Sequence, residues 1–336
     1  MNLKSIGIAS LLIGNLCFGQ NKLDVHSIKL PANVSYYDNQ YSSLYLSDGA
    51  LFLMSESRLE DNRPAFVDKI STKELQKSIK DSSYTPQSAR LPIIGLSNIR
   101  MQIDARNQKY EGLEAMAIHG KEFFFSIETD TPSDSCYLLK GKLENQSIIL
   151  DSIHFLGLPK PKDSNGKNVY NAGYESLEVK GNQLIAVFEY NYFDKENKLV
   201  VVNKDLNPKT LQYESIAKIP FRITDISDTK GGFYAINYFF NGGGGDAVYR
   251  IENDAKDYNT VFVDGKWKSY ARIVKLINEN DSYSYQPIMD LPENYWAYNW
   301  EGLAMYKNGF FILNDKYTPK RPYSSTLLFM DIKKAR

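Results

Sequence analysis

The chain has 336 residues, 43% of them hydrophobic and 13% aromatic, and it balances 40 basic against 40 acidic side chains. That is ample apolar material for a large core, and closed β architectures take such a length as one domain. Zero net charge lacks the basic excess of a general nucleic-acid binder, so nucleic acid is excluded as an expected partner.

From the N-terminus, Lys4, the apolar run Ile6 to Leu16 and Cys17-Phe18-Gly19 form the three parts of a signal peptide. Residues 1–19 are read as that signal, with cleavage before Gln20, and residues 20–336 as one exported domain, periplasmic or secreted. The apolar run is too short for a transmembrane helix, and bulky Leu16 argues against a lipid anchor on Cys17. Cys136 is then the only mature cysteine, so no intramolecular disulfide is expected and the residue is read as a small buried hydrophobe.

A strand over Val25 to Leu30 precedes the first of five similar hairpins, Tyr41 to Glu56, which turns at Ser47-Asp48-Gly49. Ala65 to Ile70 reads as a further strand and Lys73 to Asp81 as one short polar surface helix. The second hairpin, Leu113 to Glu128, turns at His119-Gly120-Lys121 and precedes a strand over Tyr137 to Leu143. Asp163-Ser164-Asn165-Gly166 reads as a plain turn, because no Glu follows at the spacing of an EF-hand. The third hairpin, Tyr174 to Glu189, turns at Gly181-Asn182 and precedes a strand over Leu199 to Asn203. The fourth and weakest runs from Ile223 to Asn237 through Gly231-Gly232. After it, Asn241-Gly242-Gly243-Gly244-Gly245-Asp246 lacks the Lys of a phosphate loop and reads as a connection to a strand over Ala247 to Glu252. The last hairpin, Trp300 to Asp315, turns at Asn308-Gly309, and a strand over Leu327 to Ile332 pairs with Val25 to Leu30 to close a ring. Gly and Asn at these midpoints accept positive φ cheaply, which is hairpin chemistry.

The hairpins start at intervals of 72, 61, 49 and 77 residues, and a four-stranded blade needs about 40 to 50. The expected fold is therefore all-β, a β-propeller of five or six blades. A β-sandwich is the alternative, but it does not explain a hairpin repeated with fixed internal spacing. Glu114 and Glu128, Glu175 and Glu189, and Glu301 and Asp315 each stand 14 residues apart about a central turn. Residues symmetric about a turn face each other, so each pair is expected at the open end of its hairpin. Ser42 and Thr224 occupy the first acid's place in the remaining two copies.

Tyr110-Glu111-Gly112-Leu113-Glu114, Tyr174-Glu175-Ser176-Leu177 and Trp300-Glu301-Gly302-Leu303-Ala304 resemble the Glu-Gly-Leu/Ile-Ala motifs of the esterase-like phytase family. Arg222-Ile223-Thr224-Asp225-Ile226 and Val248-Tyr249-Arg250-Ile251 also resemble its later region, and the similarity runs from about residue 35 to residue 332. The resemblance implies an exported bacterial propeller and ester hydrolysis. Ser42 and Ser176 depart from the motif and put a symmetric acidic site in doubt.

Like charges facing across a strand pair are destabilising, so these pairs need a basic partner, a shared proton or a hard cation. Oxygen ligands with no mature Cys among them suit Ca²⁺ better than Zn²⁺. The candidate Ca²⁺ ligands are Glu111, Glu114, Glu128, Glu175, Glu189, Glu301 and Asp315. The competing reading is structural: the same acids hold backbone N–H groups or pair with Arg58, Arg222 and Lys316. Arg58, Arg222 and Arg321 are the candidates for binding an anionic substrate group. Tyr41, Tyr174 and Trp300 read as packing between blades, with stacking on a ligand as the alternative. Only His26, His119 and His154 exist and no Gly-x-Ser-x-Gly elbow occurs, so a Ser-His-Asp hydrolase has little footing. Two functions stand open. One is a metal-dependent hydrolase of phosphate or carboxylic esters, acting on a small anionic or ester substrate. The other is a non-catalytic, Ca²⁺-stabilised propeller that binds a ligand or partner in the cell envelope.

Overall fold

Alternating apolar side chains and Gly-containing turns generate a ring of short antiparallel strands. The computed structural model describes residues 22–59, 64–242 and 245–333, so the expected signal peptide and Cys17 lie outside the described residues. Strand β1 (Lys22–Ile28) comes first but belongs to the last blade. Blade 1 is β2 (Tyr41–Ser47), β3 (Ala50–Ser55), β4 (Phe66–Ser71) and β5 (Ser88–Ile94). Blade 2 is β6 (Lys109–His119), β7 (Glu122–Asp130), β8 (Ser135–Glu144) and β9 (Ser147–Pro159). Blade 3 is β10 (Ser176–Lys180), β11 (Gln183–Val187), β12 (Lys198–Asn203) and β13 (Gln212–Ile216).

Blade 4 begins with β14 (Arg222–Thr229) and β15 (Gly232–Phe239). A two-stranded insert follows, β16 (Phe262–Val263) and β17 (Lys266–Trp267), before β18 (Tyr270–Asn278) and β19 (Ser282–Asp290) complete the blade. Blade 5 is β20 (Trp300–Tyr306), β21 (Gly309–Asn314), β22 (Leu327–Lys333) and β1, which pairs antiparallel with β22. The fold is thus an all-β propeller of five blades, closed by the pairing of β1 with β22. The outer strands of blades 1 and 2 also pair in parallel, β5 with β9, as do those of blades 3 and 4, β13 with β19.

Five apolar layers, one per blade seam, hold the ring. Phe52, Phe123 and Phe125 lie between blades 1 and 2, and Phe124, Leu138 and Phe188 between blades 2 and 3. Val187, Phe233 and Val274 fill the next seam, Tyr238, Trp300 and Ile312 the one after, and Leu53, Phe311 and Phe329 the last. Each fully buried side chain of this kind contributes about 1.5–3 kcal/mol. Tyr41, Tyr174 and Trp300 are all buried in such layers, which supports their packing role. Cys136 is buried on β8, where desolvation pushes its thiol up to about 12, and so it is inert at neutral pH.

The helix expected over Lys73 to Asp81 spans Thr72–Lys80, with the Ser71 hydroxyl accepting from the Glu74 N–H at its start. A second short helix, Leu96–Asp104, lies outside the expected elements and buries Leu96, Ile99 and Ile103 on one face. The strand expected over Ala247 to Glu252 is a correction: Gly245–Tyr249 is instead a 3₁₀ turn. Tyr249 is drawn into the core there, against the Arg222 guanidinium, and its hydroxyl donates to Glu189. A strand would have required that side chain to alternate with its neighbours across a sheet.

Candidate metal centre

The inner strand of each blade carries its special residue at one place. In β2, β6, β14 and β20 the ladder register slips around Ser42, Glu114, Thr224 and Glu301, each five residues before the last pair of its hairpin. Glu175, just ahead of β10, stands at the same distance from its hairpin end. A β-bulge re-aims the side chain of its extra residue, and here all three bulge or pre-strand carboxylates reach one mouth of the central channel. β6 holds a second slip at Glu111. The Gly of the Glu-Gly-Leu motif has a steric cause: a Cβ on Gly112 would stand 2.7 Å from Glu56 Cγ, and one on Gly302 2.7 Å from Leu44 Cγ. Only glycine lets the next blade approach this closely.

This mouth opens into a cavity of about 630 Å³ lined by Glu56, Glu111, Glu114, Glu128, Glu175, Glu301 and Asp315, with Arg58, Arg222 and Lys316 as its cations. The acids divide by what neutralises them. Glu189 is clamped by Arg222 and Tyr249, and Arg222 continues to Asp246 at 2.7 Å. Asp315 accepts the backbone N–H groups of Lys316 and Tyr317, the latter at 2.7 Å. Glu301 accepts from Asn299 Nδ2 at 2.6 Å and from the Tyr238 hydroxyl at 3.1 Å. Arg58 pairs with Glu56 at 2.6 Å through Nε and lies 3.7 Å from Glu111. For Glu189 and Asp315 the structural reading of the sequence therefore holds.

Glu114, Glu128 and Glu175 differ. Their carboxylate oxygens lie within 4.8 Å of one another, all three are buried, and they bridge the seam between blades 2 and 3. Oε1 of Glu128 and Oε2 of Glu175 are buried without a hydrogen-bond partner. At an effective dielectric near 20, two full charges at such a distance repel by about 3 kcal/mol, more than one hydrogen bond returns. Burial accordingly raises the carboxyls of Glu114 and Glu175 well above the usual range, with neighbouring carboxylates adding to the effect. Glu128 is pushed up to about 8 by burial, moderated by Lys160. Three buried oxygens of like charge bind either protons or a hard cation. This donor set, all carboxylate oxygen, fits Ca²⁺.

Of the seven expected ligands, Glu114, Glu128 and Glu175 form this centre. Glu111 and Glu301 flank it on the cavity wall, and Glu189 and Asp315 are committed elsewhere. Of the three arginines, Arg58 and Arg222 line the cavity but are held by carboxylates. Arg321 is exposed, absent from the cavity lining, and stacked over Tyr323, which lines it. Sequence reasoning missed Lys160 and Tyr238. Tyr238 stands where the other blades carry Glu56, Glu128, Glu189 and Asp315, six residues after the first ladder residue of the second strand. The spacing rule contained that signal. Lys160 follows β9 outside any repeat position and left none.

No family model and no curated protein matches the sequence. Among solved structures, the chain is similar to a putative oxidoreductase (glucose dehydrogenase) from Thermus thermophilus, at 9% identity and TM-score 0.46, covering 92% of this chain and 100% of that one. It is also similar to an exo-1,5-α-L-arabinanase from a bovine ruminal metagenomic library, at 10% identity, TM-score 0.46 and coverage of 87% and 94%. A third likeness is a β-xylosidase/α-arabinofuranosidase from a compost microbial metagenome, in a calcium-free form, at 8% identity, TM-score 0.44 and coverage of 83% and 86%. The five-bladed ring stands on its own strand pairing, independent of these likenesses.

Proposed function

We propose that this chain is an exported, Ca²⁺-dependent hydrolase of phosphate or carboxylic esters, related to the esterase-like phytases it resembles. The observation that carries the reading is the buried triad Glu114, Glu128 and Glu175, two of whose oxygens have no partner. These three residues would hold the cation, which when bound polarises a phosphoryl or carbonyl oxygen. Glu301, aligned by Asn299 and Tyr238 on the cavity wall, takes the proton of the attacking water. Its carboxyl lies well above the usual range because of burial and the nearby Asp315, which strengthens it as a base. Arg58, whose side chain is 39% exposed, is the cation best placed to meet an anionic group entering the cavity.

The test is a screen of phosphomonoesters and short carboxylic esters on purified protein, with Ca²⁺ or with EDTA. Turnover abolished by EDTA and by Glu301→Gln is expected. Ca²⁺-dependent melting without turnover on any ester would instead favour the second reading, a cation that only clamps a binding propeller. One observation favours that reading: the triad draws Glu114 and Glu128 from blade 2 and Glu175 from blade 3, so an ion there ties two blades.

A further inference from the structure

One cation beside the triad is supplied by no repeat position. Lys160 lies just past the end of β9, and its backbone N–H donates to the Asp134 carbonyl at 2.8 Å, which anchors the residue. Its side chain is 3% exposed. The ammonium donates to the Thr129 carbonyl and stands 3.6 Å from Oε1 of Glu128, the oxygen left without a hydrogen bond. An ammonium has three donors, and burying it unpaired is expensive. Besides the Thr129 carbonyl, the group it stands against is the Glu128 carboxylate.

Lys160 itself is not on the cavity wall, and the cations that line the cavity, Arg58, Arg222 and Lys316, are already committed. Arg222 is held between Glu189 and Asp246, and Arg58 pairs with Glu56. Lys316 donates to Gln40 Oε1 at 2.7 Å. Among these cations Lys160 alone has a triad carboxylate as its ion-pair partner. Resting on the metal reading above, we propose that Lys160 is a charge-matching residue that makes the triad selective for a divalent over a trivalent cation. Three carboxylates and one fixed ammonium leave a net charge of two, which a dication neutralises. A fixed positive charge also repels a trivalent ion half as strongly again as a divalent one, so its removal favours the trivalent ion disproportionately. Lys160 would not itself hold the ion; it acts by its charge beside Glu128.

The experiment is calorimetric titration of the full chain with Ca²⁺ and, separately, with Tb³⁺, for wild type, Lys160→Met and Lys160→Arg. The expected result is a Tb³⁺-to-Ca²⁺ affinity ratio raised by about tenfold or more in Lys160→Met, with Lys160→Arg keeping the wild-type ratio. Loss of packing alone would weaken both ions together and leave the ratio unmoved. If Lys160→Met fails to fold, Lys160→Gln removes the same charge and keeps a polar end. A ratio within about twofold of wild type in the uncharged variants would overturn the role of Lys160 while the Ca²⁺ reading stands. Wild-type protein that binds neither ion would overturn both.

Discussion

The seam between blades 2 and 3 and the seams flanking blades 1 and 4 use the same strand position in opposite ways. Between blades 2 and 3, bulge and pre-strand carboxylates face one another with oxygens unpartnered. In blade 1, Ser42 at the same place donates its hydroxyl to the Leu113 carbonyl of blade 2 at 2.7 Å. In blade 4, Thr224 donates to the Trp300 carbonyl of blade 5 at 2.8 Å. Beside it, buried Asp225 accepts the N–H groups of Leu44, Leu303 and Ile226 at 3.0, 2.9 and 2.9 Å, tying blades 1, 5 and 4. Ser42 and Thr224 are therefore inter-blade ties, not lost ligands. Polar groups that satisfy one another hold the ring, and those left unsatisfied are available to a ligand.

The largest expected effect strikes the tied side. Asp225→Leu strands three buried N–H groups at roughly 1–3 kcal/mol each, so a urea midpoint shift equivalent to about 3 kcal/mol or more is expected, with the Ca²⁺ response of any folded protein kept. Loss of that response as well would break the division between the two regions.

On the acidic side, Glu128 titrates near 8 in the fold against an ordinary value of 4.5, because burial disfavours its charge. A carboxyl raised in the folded state gives stability that is full below the ordinary value and lost as pH climbs through the raised one. Thermal melts in EDTA should therefore fall between pH 4.5 and 8 for this group, and saturating Ca²⁺ should flatten the decline. Glu175→Gln should raise metal-free stability at pH 8 by roughly 1–3 kcal/mol, through lost repulsion, and abolish the Ca²⁺ response. A metal-free protein more stable at pH 8 than at pH 5 would contradict the origin given for these shifts.

A smaller change is expected from Thr224→Val, which keeps the shape and removes one hydrogen bond, at about 1 kcal/mol by chemical denaturation. Arg321→Ala should be smallest, within about 0.5 kcal/mol and without effect on Ca²⁺ binding. A marked change there would return that exposed arginine to the site.

The five hairpins, their turns and closure by Val25 to Leu30 on Leu327 to Ile332 were legible because strand alternation and Gly-containing turns are local signals. The acids were legible as pairs at the open ends of their hairpins, since spacing about a turn dictates which end of a hairpin a residue occupies. Spacing could not show which carboxylates remain unpaired. Arg222 reaches Glu189 and Asp246 only because β14 lies beside blade 3, and the 3₁₀ turn that brings Tyr249 to Glu189 replaced an expected strand. Nor could an assumed regular ladder reveal the slips at Ser42, Glu111, Glu114, Thr224 and Glu301.

Local sequence pattern alone determined the repeated hairpin and the placing of carboxylates at the open ends of four of the five copies. Tertiary structure decided the rest: the count of five blades, the meeting of Glu114 and Glu128 with Glu175 across a seam, and the arrival of Lys160 beside them. The physical reason is that a carboxylate's charge state and partners depend on what is packed within a few ångströms of it. In a closed ring some of those neighbours come from other blades, as Glu175 does, and others from connections outside the repeat, as Lys160 does, and the hairpin spacing records neither.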